Sequence, residues 1–70
     1  MQRKEAVILL KLLVDHKIVS PSIVSLEKNK QGGINLVLKV DCDLQPLRKF
    51  IAEKNLSVRE ENGYCVIYEP

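Results

Sequence analysis

Hydrophobic and polar residues follow two different periods along this chain, and these periods predict two helices and four strands. From about Gln2 to Asp15, and again from about Leu44 to Asn55, apolar residues recur at helical spacing. From Ile34 to Asp41 every second residue is apolar, which is typical of a strand with one buried face. Shorter strand-like runs complete the pattern at 23–28, 56–61 and 64–69.

Two turn signals connect the predicted strands into hairpins. The first is the loop Asn29–Gly33, which carries two glycines, and the second is Asn62-Gly63, the strongest two-residue hairpin signal. The second turn fixes the register of its hairpin, so that Glu61 lies opposite Tyr64. One side of this hairpin then carries the core residues Leu56, Val58, Cys65 and Ile67, and the other carries Ser57, Arg59, Tyr64, Val66 and Tyr68.

The element order α-β-β-α-β-β predicts a two-layer α+β sandwich. We expect one small domain over residues 1–70, with two helices on one face of a four-stranded, mainly antiparallel sheet. The order of the strands does not follow from the sequence. A chain of 70 residues buries a modest core, and oligomerisation is a common way to supplement it.

The first helix is more apolar than a helix that covers one side of a sheet requires. Ala6, Leu10, Leu13 and Val14 share one face, while Ile8, Leu9 and Leu12 lie on a second flank. Large exposed apolar patches are uncommon on soluble monomers. We therefore predict that Ile8, Leu9 and Leu12 form a homodimer interface, or alternatively that packing within the monomer covers them.

If the two hairpins join into one sheet, the side away from the helices is predicted to show Val37 together with the candidate binding residues Lys39, Arg59, Tyr64, Val66 and Tyr68. Three interpretations are open for this surface. The tyrosines and valine are good strand residues that form cross-strand pairs, or they bind a protein partner or a second copy, or they stack on unpaired nucleic-acid bases with cations nearby.

Charge and cysteine content narrow the classes of function. The net charge of +2 is spread along the chain rather than clustered, so a dedicated nucleic-acid binder is weakly supported. The apolar run Ala6–Val14 contains Lys11 and is far shorter than the ~20 residues that span a bilayer, so no membrane association is expected. Cys42 and Cys65 lack CxxC spacing, which favours reduced thiols and a cytoplasmic location.

The sequence contains no catalytic constellation. The segment Asp41-Cys42-Asp43 supplies too few oxygen ligands for a hard cation and no adjacent base for a nucleophilic thiol. His16 is the only histidine, at a predicted helix end, and Gly32-Gly33 lacks the spacing of phosphate-binding loops. We expect no enzyme activity, no metal and no cofactor.

The leading hypothesis is therefore a non-enzymatic interaction module that self-associates as a dimer. The alternative is an RNA- or single-stranded-DNA-binding domain that uses the uncovered sheet face. The element order is comparable with small RNA-binding α/β folds, but neither a GxxG loop between helices nor an aromatic strand motif in mid-chain is present. The sequence resembles no family by its motifs.

Overall fold

The computed structural model describes residues 1–40 and 45–70, and its elements follow the predicted order. The predicted α-β-β-α-β-β arrangement is confirmed. Every boundary lies within a few residues of the one that the hydrophobic pattern predicts. The elements are helix α1 (Arg3–Asp15), a single 3-10 turn (Pro21–Ile23), strands β1 (Val24–Lys28) and β2 (Ile34–Leu38), helix α2 (Gln45–Glu53), and strands β3 (Ser57–Glu61) and β4 (Tyr64–Tyr68).

The four strands form one antiparallel sheet in the order β1-β2-β4-β3. The two hairpins join through β2 and β4, which leaves β1 and β3 at the edges. Both helices pack on the same face of this sheet, so the predicted two-layer α+β sandwich is confirmed. The core between the layers contains Leu13 of α1, Leu47 of α2, and Leu36 and Ile67 of the central strands.

The turn at Asn62-Gly63 has the geometry that its sequence predicts. Both residues have positive φ, 53° for Asn62 and 83° for Gly63, as a type I′ turn requires. The β3–β4 register follows as predicted, with Glu61 opposite Tyr64 and Arg59 opposite Val66. Because the register decides which side chains share a face, this turn places Tyr64, Val66 and Tyr68 together on one side of the sheet.

Helix α1 buries a different set of residues from the one expected. Leu9 is 5% exposed and belongs to the core with Ala6 and Leu13. Its assignment to the second flank was therefore wrong, because the helix is rotated so that Leu9 points into the core. Ile8 is 50% exposed and Leu12 is half-buried, so these two residues remain on the outer flank.

The loop between β1 and β2 is held by one asparagine side chain. Asn29 Oδ1 accepts hydrogen bonds from the backbone N–H groups of Gln31 (3.0 Å) and Gly33 (2.8 Å). Asn29 Nδ2 donates to Oδ1 of the buried Asn35 at 3.1 Å. A side chain at Gly33 would lie 3.1 Å from the carbonyl oxygen of Met1, so glycine suits this position. The network fixes one end of the uncovered sheet face.

Cys65 is fully buried and disulfide-bonded. The expectation of reduced thiols is therefore wrong at this residue, and the other cysteine of the chain lies outside the described residues. The cytoplasmic location that rested on reduced thiols stays a prediction.

Neither helix in the described ranges is long and apolar enough to span a membrane.

Candidate functional site

The face of the sheet opposite the helices, here called the open face, presents its side chains in rows set by strand register. One row runs across all four strands and contains Ser25, Val37, Val66 and Arg59. On β4, Tyr64 and Tyr68 lie two residues to either side of Val66, so both rings share the open face with it. The structure thus brings together four of the five residues predicted for this surface, and Lys39 follows the end of β2.

The centre of the open face is apolar and recessed. Val66 is only 6% exposed although it points away from the helix layer, and its neighbour Val37 is half-buried. Tyr64, by contrast, is 38% exposed. Large side chains around a nearly inaccessible valine produce an apolar floor with aromatic walls, which is the shape of many ligand and peptide sites.

A shallow concavity of about 890 Å³ covers much of this face. Its apolar lining comes from the residues just described, while the side chains from the β1–β2 loop, Asn29, Lys30 and Gln31, are polar. Its charged lining is balanced between three cations and three anions. The cations are Lys28, Lys30 and Arg59, and the anions are Glu27, Glu61 and Glu69. This concavity therefore has an apolar centre and a rim without a dominant charge.

Arg59 contacts both an aromatic ring and a carboxylate on the open face. Its guanidinium carbon lies 4.9 Å from the centre of the Tyr68 ring, within the range of a cation–π interaction. Its Nε donates a hydrogen bond of 2.9 Å to Oε2 of Glu61. Because Glu61 compensates the positive charge, Arg59 contributes less to attracting a polyanion than the sequence suggested.

Lys39 lies beside a second, smaller concavity of about 300 Å³. Val37 and Tyr64 line both concavities, so the two concavities adjoin on the open face. Each of the five residues predicted for this surface lines one or both of these concavities. Their role in binding stays a prediction.

Several residues that line the larger concavity were not anticipated. Glu61 could have been found, because the predicted hairpin register places it beside Tyr64 on the same face. Asn35 and Glu27 could not, since their proximity to Tyr68 depends on the pairing of β2 with β4. Only the strand order reveals that the rim of the larger concavity carries as many carboxylates as cations.

The predicted interface on α1 is smaller than expected. With Leu9 in the core, the outer flank retains Ile8 and Leu12 among polar neighbours such as Lys4 and Lys11. Two side chains offer a limited apolar area, so the open face is the larger candidate for binding.

Among the residues that the structure describes, the remaining candidates for chemistry do not assemble into a site. Asp41-Cys42-Asp43 lies outside the described residues. The His16 ring lies 6.1 Å from that of Phe50 on α2, where it packs against the helix. Gly32, with φ of 83°, belongs to the β1–β2 loop. Within residues 1–40 and 45–70, no group of three or more His, Cys, Asp or Glu side chains is placed to hold a metal ion.

Comparisons of this chain with protein-family models, curated proteins and solved structures found no match.

Proposed function

We propose that this chain is a non-enzymatic protein-interaction module that binds an extended segment of a partner protein on its open face. The observation that carries the proposal is the recessed Val66, flanked along β4 by Tyr64 and Tyr68. Tyrosines supply large contact areas at low entropic cost, and they are enriched at interfaces. An apolar or aromatic side chain of the partner would occupy the floor between them.

The dimensions of the open face favour a segment over a folded partner. Four strands of five residues present a surface of about 19 Å by 17 Å, or roughly 320 Å² in projection. A stable interface between folded proteins buries about 800 Å² on each side. An extended segment of about six residues spans roughly 20 Å and fits within the face.

The balance of charge favours a peptide over a nucleic acid. A nucleic-acid site needs a surplus of cations along the phosphate backbone. The rim of the larger concavity instead combines Lys28, Lys30 and Arg59 with an equal number of glutamates, and Lys39 beside the smaller concavity adds a single further cation. A segment with an apolar centre and mixed flanking charges complements this rim.

Single-stranded RNA or DNA is the second candidate, and one observation favours it. The Arg59 guanidinium lies over the Tyr68 ring. Together with Tyr64 they provide the combination of flat surfaces on which unpaired bases stack. Such binding would depend strongly on salt, which separates it from peptide binding.

The test is selection of peptide ligands from a random display library, followed by affinity measurements with purified peptides. We expect enriched peptides with an apolar or aromatic centre. Tyr64→Ser/Tyr68→Ser should weaken their binding by about tenfold or more, because central aromatic residues dominate interface energies. Ile8→Ser/Leu12→Ser is the matched control on α1 and should leave the affinity unchanged.

Two results would contradict the proposal. Peptides that bind the tyrosine variant as well as the wild type would remove the open face as the site. Failure to enrich peptides, together with oligonucleotide binding that falls steeply with salt and requires both tyrosines, would replace it with the nucleic-acid alternative.

A further inference from the structure

Strand β1 forms an edge of the sheet and directs backbone groups away from it. The Lys39 N–H donates to the Ile23 carbonyl at 3.0 Å, and the Asn29 N–H donates to that of Gly33 at 2.9 Å. These bonds fix the antiparallel alternation, in which the backbone N–H and C=O groups of Ser25 and Glu27 point toward β2. The N–H and C=O groups of Val24, Leu26 and Lys28 therefore point outward from β1.

The side chains along this edge would allow another strand to pair with β1. Val24 and Leu26 are half-buried and pack against the margin of the core, while α1 lies over the neighbouring β2. Another strand beside β1 would cover the exposed remainder of both side chains. The charged residues of β1, Glu27 and Lys28, are confined to its end.

Antiparallel pairing of β1 with its own copy has a favourable full-length register. Residues whose backbone groups point away from the sheet must pair with such residues of the second copy. In the register that pairs all five residues of β1, the two-fold axis passes beside Leu26. Leu26 lies opposite Leu26 of the second copy, Ser25 opposite Glu27, and Val24 opposite Lys28. This register forms six backbone hydrogen bonds and places no like charges opposite each other.

The other edge of the sheet lacks this self-complementarity. On β3, Val58 and Glu60 direct their backbone groups outward, because in a two-residue hairpin Glu61 and, two residues away, Arg59 form the hydrogen-bonded pairs with β4. The full-length two-fold register of β3 places Arg59 opposite Arg59 of the second copy. Like charges in directly opposed positions are destabilising, and charged residues commonly protect edge strands.

We propose that two copies of this chain pair through their β1 edges, with the two-fold axis at Leu26, to form a continuous eight-stranded sheet. The second copy is the favoured occupant because the edge is complementary to itself in both hydrogen bonding and charge. The two open faces then lie on the same side of one sheet. The inference goes beyond the proposed peptide binding and is independent of it.

Light scattering after size exclusion tests the dimer, and cysteine cross-linking tests its interface. We expect the mass of the wild type to approach twice the chain mass as the protein concentration rises, and the mass of Leu26→Arg to stay at that of one chain. In Leu26→Cys the two thiols meet at the axis, where the Cα separation in a bonded pair, about 5.5 Å, suits a disulfide. This variant should form disulfide-linked dimers at least about tenfold faster than Arg59→Cys, its counterpart at the centre of β3.

Each alternative outcome overturns the proposal. A wild-type monomer at every concentration excludes the pairing. Equal cross-linking rates for Leu26→Cys and Arg59→Cys show that β1 is not the interface, even if Leu26→Arg fails to fold. A dimer that survives Leu26→Arg and is lost in Ile8→Lys/Leu12→Lys assigns self-association to the flank of α1. Peptide binding by a monomeric wild type would leave the proposed function intact.

Discussion

Lys17 and Asn55 end the two helices in the left-handed region, each with φ of 58°. After α1, the N–H groups of Lys17 and Ile18 donate to the carbonyls of Val14 and Leu13, both at 3.0 Å. This is the Schellman arrangement, and Leu56 repeats it after α2 with a bond to Ile51. In both cases the next apolar residue turns back onto the core.

Replacing Lys17 with glycine should stabilise the protein. A lysine in the left-handed region carries a steric cost of roughly 1–2 kcal/mol, which glycine avoids. The greater freedom of glycine in the unfolded chain offsets part of the gain, so we expect a net increase of about 0.5–1 kcal/mol in the free energy of unfolding. Urea denaturation at fixed protein concentration measures it.

Asn55→Gly serves as the control for this prediction. Asparagine tolerates the left-handed region better than lysine, so its replacement should give a smaller gain. A loss of stability in Lys17→Gly would show that the lysine side chain contributes more than its backbone strain costs.

The sequence signals differ in strength at these residues. Asn62-Gly63 identifies its turn and register because both residues accept positive φ. Lys17 gives no comparable signal, since the structure tolerates a small steric cost there in exchange for the capping hydrogen bonds and the packing of Ile18.

At the scale of elements, α1 shows why a long apolar run predicts a helix but leaves its rotation open. Eight of its thirteen residues, Ala6 to Val14 without Lys11, are apolar and surround most of the helix circumference. Several rotations therefore bury a similar apolar area. Contacts with β2 and the rest of the core select the one that buries Leu9 and exposes Ile8.

Adjacent alanine substitutions on α1 test this rotation. Leu9→Ala removes a core side chain and should lower the free energy of unfolding by about 2–5 kcal/mol. Ile8→Ala changes a half-exposed position and should cost less than about 1 kcal/mol. Chemical denaturation of both variants provides the comparison. Equal losses, or a larger loss for Ile8→Ala, would contradict the orientation of the helix.

At the scale of the whole molecule, the strand order creates the candidate site. Local signals predict two hairpins, but the choice of β2 and β4 as the strands that join them depends on how both hairpins pack beneath the helices. The sequence therefore predicts the Tyr64–Val66–Tyr68 row within one hairpin. Val37, predicted on this face only if the two hairpins join, lies opposite Val66. The sequence does not predict that Asn35 lies beside this row, or that glutamates balance the cations on the rim of the larger concavity.

The most direct test of the proposed binding site is an amide chemical-shift titration of the labelled protein with the tightest peptide from the display selection. We expect the largest shifts on Val37, Arg59, Tyr64, Val66 and Tyr68. Shifts centred on α1, at Lys4, Ile8 and Lys11, would contradict it and place binding on the opposite side of the molecule.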